Sequence, residues 1–188
     1  MHHLYCSPKS RRMSITWKID PGHSEIQFKV KHLMITTVTG YFRKFDGELI
    51  TETEDFNTTT SIRFTADINS IDSNNELRDT HLKSDEFFNA EKYGQVIFVG
   101  TRYEALNNAA TLYGNLTIRG ITKPIQLDVE FGGIIIDTNG WKKAGFSVNG
   151  SISRKDFDLK WNAVTESGSV VISDNVKIHS EVQLIKQQ

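Results

Sequence analysis

Beyond residue 13 the chain alternates apolar and polar positions with a period of two, as strands do when they bury one face. In HSEIQFKVKH, Ile26, Phe28 and Val30 fall on one side, and Glu25, Gln27, Lys29 and Lys31 on the other. Ile62, Phe64, Ala66 and Ile68 repeat the pattern, as do Leu112, Leu116 and Ile118 around Gly114. Further sets are Ile125, Leu127, Val129 and Phe131, then Phe146, Val148 and Ile152 around Gly150, then Val176, Ile178, Val182 and Leu184. Shorter strands are expected at 15–20, 40–50 and 95–102. Turn chemistry separates the runs at Asp20-Pro21-Gly22, Asp46-Gly47, Asn107-Asn108, Thr138-Asn139-Gly140 and Ser173-Asp174-Asn175. The pattern predicts about eight or nine strands joined mostly by short links.

A long sheet that buries one side must curl onto itself or pack on a second sheet, and closure also removes exposed edges. On pattern alone, barrel and sandwich both stand. Gly114 and Gly150 inside strands suit the tight bends of a barrel. One stretch departs from the alternation, IDSNNELRDTHLKSDEFFNAEKY. Ser73 and Glu76 have capping-box spacing. Leu77 and His81 share a helical face, and Ser84 before Asp85 and Glu86 suits a second short turn. One or two short helices are therefore expected within 74–91.

The chain of 188 residues fits one domain, placed at 14–188, with residues 1–13 a disordered extension or a mis-assigned start before Met13. Its 22 basic and 23 acidic residues leave a formal net charge of -1, so no long-range field draws in nucleic acid. The single cysteine, Cys6, excludes a disulfide framework and reads as a free thiol in a loose tail rather than a nucleophile. No run of about 18 apolar residues is present, so no stable membrane insertion is expected. MHHLYCSPKSRRM has no apolar h-region, so the expected location is the cytoplasm.

Catalytic signatures are absent: no phosphate-binding glycine loop, no H-E-x-x-H and no G-x-S-x-G. His23, His32, His81 and His179 lie in the folded part with no two spaced three or four apart, and neither metal nor cofactor is expected. His32 shares the inward phase of Ile26, Phe28 and Val30. It is read either as a buried neutral histidine bonded to a backbone carbonyl or as a contact for a ligand's polar end. Arg78, Asp79 and His81 cluster on the helical insert. They fit a grip on a phosphate or carboxylate head, or ion pairs and caps that pin the helices. The Asn-x-Thr patterns at Asn57 and Asn115 are taken as chance. Eleven phenylalanines are present, several on the inferred inner face. An eight-stranded barrel is either just filled by such side chains or holds one small ligand.

The blocks WKIDPGHSEIQFKVKH (17–32), GYFRKFDGEL (40–49), LRDTHLKSDEFFNAEKY (77–93), LTIRGITKPIQLDV (116–129), GFSVNGSISRKDFDL (145–159) and VKIHSEVQLIK (176–186) resemble, in order, those of the YceI-like proteins. The resemblance spans about residues 15–186 and implies an all-β fold: a lipocalin-like eight-stranded antiparallel β-barrel with the helical insert. It implies binding of a polyisoprenoid or fatty-acid-like amphiphile inside the barrel, and often a homodimer. Many such proteins are periplasmic, whereas this chain shows no signal sequence. Gly94 stands where proline is common after tyrosine, and Asp158 where glycine is usual after D-F. The expected apolar lining is Phe28, Val30, Phe42, Ile62, Phe64, Phe98, Leu116, Phe131 and Phe146. His32, Arg78, Asp79 and His81 are expected at the ligand's head group because they stand in the family's marked blocks. The expected function is sequestration or transport of a small-molecule lipid without catalysis. The alternatives are an enzyme using His32 or His81 as general base, and a stress-response module with a packed barrel.

Overall fold

The computed structural model describes residues 14–107, 109–163 and 171–188. The expectations for residues 1–13, and for Asn108 in its turn, lie outside them. The period-two stretches form eleven strands in one antiparallel sheet: β1 (Ile15–Ile19), β2 (Glu25–His32), β3 (Thr36–Phe42), β4 (Phe45–Thr51), β5 (Thr59–Asp67) and β6 (Ile71–Asp72), then β7 (Gln95–Leu106), β8 (Ala109–Ile118), β9 (Ile121–Ile136), β10 (Lys142–Ser153) and β11 (Ile172–Lys186). The helix α1 (Glu76–Lys83) sits between β6 and β7. Eight strands close a ring, β1-β4-β5-β7-β8-β9-β10-β11, because β11 pairs back onto β1 through Trp17↔Lys186 to Ile19↔Leu184. Beyond that contact β2 takes over the same edge of β11, and β3 lies on β2 as β4 lies on β1. β3 meets β6 only at Tyr41 and Phe42, so its outer edge from Thr36 to Gly40 carries no ladder partner among the described residues.

Alternation puts Phe28, Phe98 and Leu127 over glycines on neighbouring strands. A Cβ on Gly40 would lie 2.2 Å from the Phe28 ring, one on Gly114 2.3 Å from Phe98, and one on Gly150 2.4 Å from Leu127. Each large side chain occupies the place its neighbour's would take, which lets a narrow barrel carry aromatic groups on its inner face.

Local detail differs from expectation at several points. Asp46-Gly47 does not turn but lies inside β4, where pairing with Thr65 and Phe64 of β5 overrides local turn chemistry. The bend comes instead at Arg43–Lys44, where Lys44 N–H donates to Ser70 Oγ. Ser173-Asp174-Asn175 lies within β11 at an irregularity between Ile172 and Val176, held by Asp174 on Arg154. α1 is capped by Asn75, whose side chain accepts from Arg78 N–H, because Ser73 is already engaged by Arg78 and Asp79. Residues 84–92 fold as successive turns rather than a second helix, with Phe88, Asn89 and Ala90 N–H groups closing onto Leu82, Ser84 and Lys83 carbonyls.

The two barrel ends differ. At one, the 3₁₀ turn Phe56–Thr58 drops Phe56 between Trp17, Phe131 and Phe146, with ring centroids 5.0, 5.6 and 4.9 Å away. Trp17 is fully buried and donates Nε1–H to Thr51 Oγ1 at 3.2 Å. This aromatic plug closes the end carrying the β9–β10 turn. Beside it Glu54 receives Lys142 at 2.7 Å and Lys186 at 2.8 Å. At the opposite end lie α1, the β2–β3 turn and the segment after β10. There Leu33 and Met34 adopt left-handed backbone, φ 50° and 59°, costing roughly 1–2 kcal/mol each for residues with a Cβ.

Two stability outcomes follow. Gly114→Ala pushes a methyl into the Phe98 ring and the Val99 carbonyl, 2.6 Å away, and is expected to cost about 1–3 kcal/mol. Gly145→Ala, with nothing within 4 Å of its Cβ, is expected to stay within about 0.5 kcal/mol of wild type. Denaturant titration of both variants measures the contrast. The Lys142 and Lys186 hydrogen bonds lower the Glu54 carboxyl from its ordinary 4.5 to about 2. A lowered folded-state value stabilises the fold above pH 4.5, and that contribution is lost as pH falls from 4.5 towards about 2. Glu54→Gln is therefore expected to flatten the stability–pH curve across that window, leaving the share owed to other carboxylates.

Candidate functional site

The ring of strands encloses a cavity of about 610 Å³ that runs from the Phe56 plug to α1. Its wall is made by the inward phase of nearly every strand. Phe28, Val30, Phe42, Ile62, Phe64, Phe98, Leu116 and Phe146 all line it, joined by Leu127, Val129 and Val148. The barrel is thus not packed solid. Phe131 shares the inward phase but does not line this cavity. It stands on the far side of Phe56, against a separate small pocket of about 340 Å³ with Ala105 and Ile134. Alternation reports a side chain's direction, not its depth along the barrel, and Phe131 lies past the plug.

His32, Arg78 and His81 reach the cavity at the α1 end, while Ser180, Thr59 and Tyr103 line it farther along. His32 points into it from the last position of β2, and its ring has no hydrogen-bond partner among the described residues. Arg78 lines it from α1 while donating Nε–H to Ser73 Oγ at 2.7 Å and an Nη2–H to the Ser73 carbonyl at 2.6 Å. His81, also on the wall, faces Glu86 through Nε2 at 2.6 Å and stands edge-on to Phe87 and Trp161, centroids 5.0 and 4.9 Å away. Asp79 is not on the wall. Its Oδ1 accepts from Ser73 N–H at 2.9 Å and Ser73 Oγ at 2.5 Å, so it anchors the start of α1. The four residues therefore separate into three at the cavity and one that positions the helix.

Two arginines escaped the sequence reading, Arg154 on the wall and Arg119 outside it. Arg154 is 3% exposed and lines the cavity, yet it follows Ile152 at i+2 on the inward phase of β10. Its guanidinium donates to the carbonyls of Leu159 at 2.5 Å, Trp161 at 2.7 Å and Ser173 at 3.1 Å, and to Asp174 Oδ1 at 3.1 Å. A buried cation is tolerable when its donors are met this way. The result straps the 154–161 segment to β11 and carries Trp161 onto the mouth. The signal was a charge in phase with an apolar series. Arg119 does similar work for the insert, with φ 52° and Nη1 donors to the carbonyls of Asp85, at 2.9 Å, and Phe87.

The rim is electrostatically settled. Lys155 holds the Asp174 carboxyl below its ordinary range, and Lys160 does the same for Asp158. At the plugged end, burial followed by Asp55 raises the Tyr103 phenol. Among the described residues no three His, Cys, Asp or Glu side chains gather as a metal cluster, and no helix is long and apolar enough to cross a membrane.

Comparison with known proteins places this geometry in a family. A UPF0312 protein of Staphylococcus epidermidis is 39% identical over 170 residues, covering 89% of this chain and 95% of that one. The crystal structure of a Campylobacter jejuni YceI protein is similar with a TM-score of 0.72 at 33% identity, over 84% of this chain and 90% of that chain. A polyisoprenoid binding domain from Saccharophagus degradans, implicated in plant cell wall breakdown, shares the fold with a TM-score of 0.63 at 16% identity, over 91% and 98% of the two chains. The model of the YceI-like domain matches residues 17–184, and the chain belongs to the YceI-like family.

Proposed function

We propose that this protein binds one elongated apolar molecule with a polar end, of the polyisoprenoid or fatty-acid class, and carries it without chemical change. The observation that carries this reading is the cavity itself: about 610 Å³, walled mainly by aliphatic and aromatic side chains, with His32, Arg78, His81 and Arg154 gathered at the α1 end. That volume falls within the roughly 300–1,000 Å³ typical of small-molecule sites. A hydrocarbon tail gains about 0.8 kcal/mol for each methylene taken out of water, so a tail running towards the plug would outweigh the cost of immobilising it. The polar groups orient the ligand with its head at α1. The binding role printed for the Saccharophagus degradans domain is consistent with this assignment. The cytoplasm is the proposed location, and the dimer suggested by the family resemblance is carried forward as a proposal.

Native mass spectrometry of the purified protein, followed by organic extraction, is expected to recover a bound prenyl or acyl chain. Val148→Trp puts an indole into the middle of the wall and is expected to lower affinity for a fluorescent fatty acid at least about tenfold, or 1.4 kcal/mol. Retained circular dichroism with unchanged affinity would place the ligand elsewhere. Head-group chemistry is read from Arg78→Gln. A carboxylate-headed probe is expected to lose about 1.5–3 kcal/mol with its charge-assisted hydrogen bond, while the matching alcohol stays within a factor of about two. Equal losses for both probes would mean that Arg78 serves only to hold Ser73.

A further inference from the structure

The β2–β3 turn combines features that the ligand cavity does not explain. Leu33, Met34 and Ile35 are 36%, 62% and 78% exposed, on the turn that closes with Ile35 N–H donating to the His32 carbonyl. Its two central residues are both left-handed, φ 50° and 59°, where Asn-Gly would be free of strain. Local propensity and solvation both oppose this arrangement, the kind of conflict that folded proteins keep where the surface is used.

Its place in the fold narrows that use. The turn leaves directly from His32, which lines the cavity, and Leu33 N–H donates to the carbonyl of Val171, another wall residue, at 2.8 Å. The adjoining edge of β3, Thr36 to Gly40, has no ladder partner among the described residues. Leu77 of α1 also borders the cavity while remaining 86% exposed. The chemistry is layered along the hairpin. The stretch from Leu33 to Phe42 contains no charged residue, with the apolar turn at its tip and, behind it, Thr37 and Thr39 level with Lys31 and Lys29 across the ladder. An apolar tip backed by one band of hydroxyls and lysines matches the step from acyl chains to the polar head-group region at a bilayer interface. Three turn residues are too few for a stable protein interface, which takes about 800 Å² from each partner.

We propose that the Leu33-Met34-Ile35 turn docks reversibly into a lipid bilayer surface, bringing the open end of the barrel against the membrane. Docking stands on the turn alone, whereas its use in cargo exchange rests on the lipid-carrier reading above. With a net charge of -1 on the whole chain, contact is driven by apolar insertion, and the two lysines only favour anionic lipid. A second exposed apolar group, Ile134, Ile135 and Ile136 with Trp141, lies at the plugged end, where Phe56 and Phe131 separate it from the cavity. It serves as the internal control.

The test is flotation of the full chain with vesicles of phosphatidylcholine, alone or mixed with phosphatidylglycerol. Wild type is expected to float with both, more with the anionic mixture, and Met34→Asp with Ile35→Asp to reduce the bound fraction at least about tenfold. The triple variant Leu33→Asn, Met34→Gly, Ile35→Thr relieves the turn while removing its apolar groups. It is expected to fold at least as stably as wild type and still fail to float. Ile135→Asp with Ile136→Asp is expected to float normally. The proposal is overturned by wild type that stays with the soluble fraction, by a triple variant that floats like wild type, or by loss of flotation only in the Ile135/Ile136 variant. A soluble fluorescent fatty acid, titrated without vesicles, separates the two readings. Tip variants are expected to bind it as wild type does. Wild type that floats yet takes up no probe leaves docking intact and removes the carrier role.

Discussion

The structure depends on a closed ring of backbone hydrogen bonds that holds apolar faces apart. Apolar side chains gain by meeting one another, and an open sheet with these faces would fold over until they touched. Pairing of β11 with β1 joins the last strand to the first and prevents that. The wall then keeps a fixed circumference whatever its contents. Phe28 over Gly40 and Phe98 over Gly114 use the space lateral to the wall, so large rings lie along the sheet instead of across the void. A cavity survives inside a protein rich in phenylalanine because the rings are folded into the wall.

The same constraint separates the ends. Closing both would trap the interior, and leaving both open would expose apolar surface to water along the whole length. At one end aromatic packing of Trp17, Phe56, Phe131 and Phe146 makes a dry stop. At the other the closure is polar and built from elements outside the ring: α1 through Ser73 and Asp79, the insert through Arg119, and the 154–161 segment through Arg154. Closures made of side-chain hydrogen bonds to short segments open at lower free energy than a strand ladder. The plugged end suits a terminus for a tail, and the strapped end suits passage.

Most of the wall was legible in the sequence because strand alternation has a strict period, and a residue's phase fixes its face. Phe28, Val30, Ile62, Phe64, Leu116 and Phe146 follow from phase and line the cavity, and Phe131 shows where phase stops being enough. The plug was illegible because it comes from the loop TETEDFNTTT, in which the lone Phe56 has no periodicity to read. A single large apolar residue in a polar run was its only trace. The polar mouth was half legible. Alternation aimed His32 correctly, and helical spacing gathered Arg78, Asp79 and His81, but neither separates a side chain facing the void from one turned back to a backbone. Asp79 turns back to Ser73 because an acid near a helix start finds free N–H groups closer than any ligand. Asp46-Gly47 misled for the opposite reason, since the β4–β5 ladder outweighs the local preference of a dipeptide.

The β2–β3 turn is where sequence and fold disagree most. Two residues with side chains sit in left-handed backbone, in an uncharged decapeptide, next to the stretch of β3 whose outer edge has no ladder partner among the described residues. Folding alone would favour Asn-Gly there, which matches the twist of the hairpin and hydrates well. Elsewhere the chain uses Asn or Asp in this region at Asn74, Asn89, Asn107 and Asp158, and among the described residues Arg119 is the one other long side chain there. Arg119 is held there by its hydrogen bonds to the insert, whereas the side chains of Leu33 and Met34 are left in solvent. Their strain and exposed area are concentrated within a few residues of the cavity mouth. A surface that pays nothing to the fold, and lies where apolar cargo must cross from one phase to another, has its physical reason in that crossing.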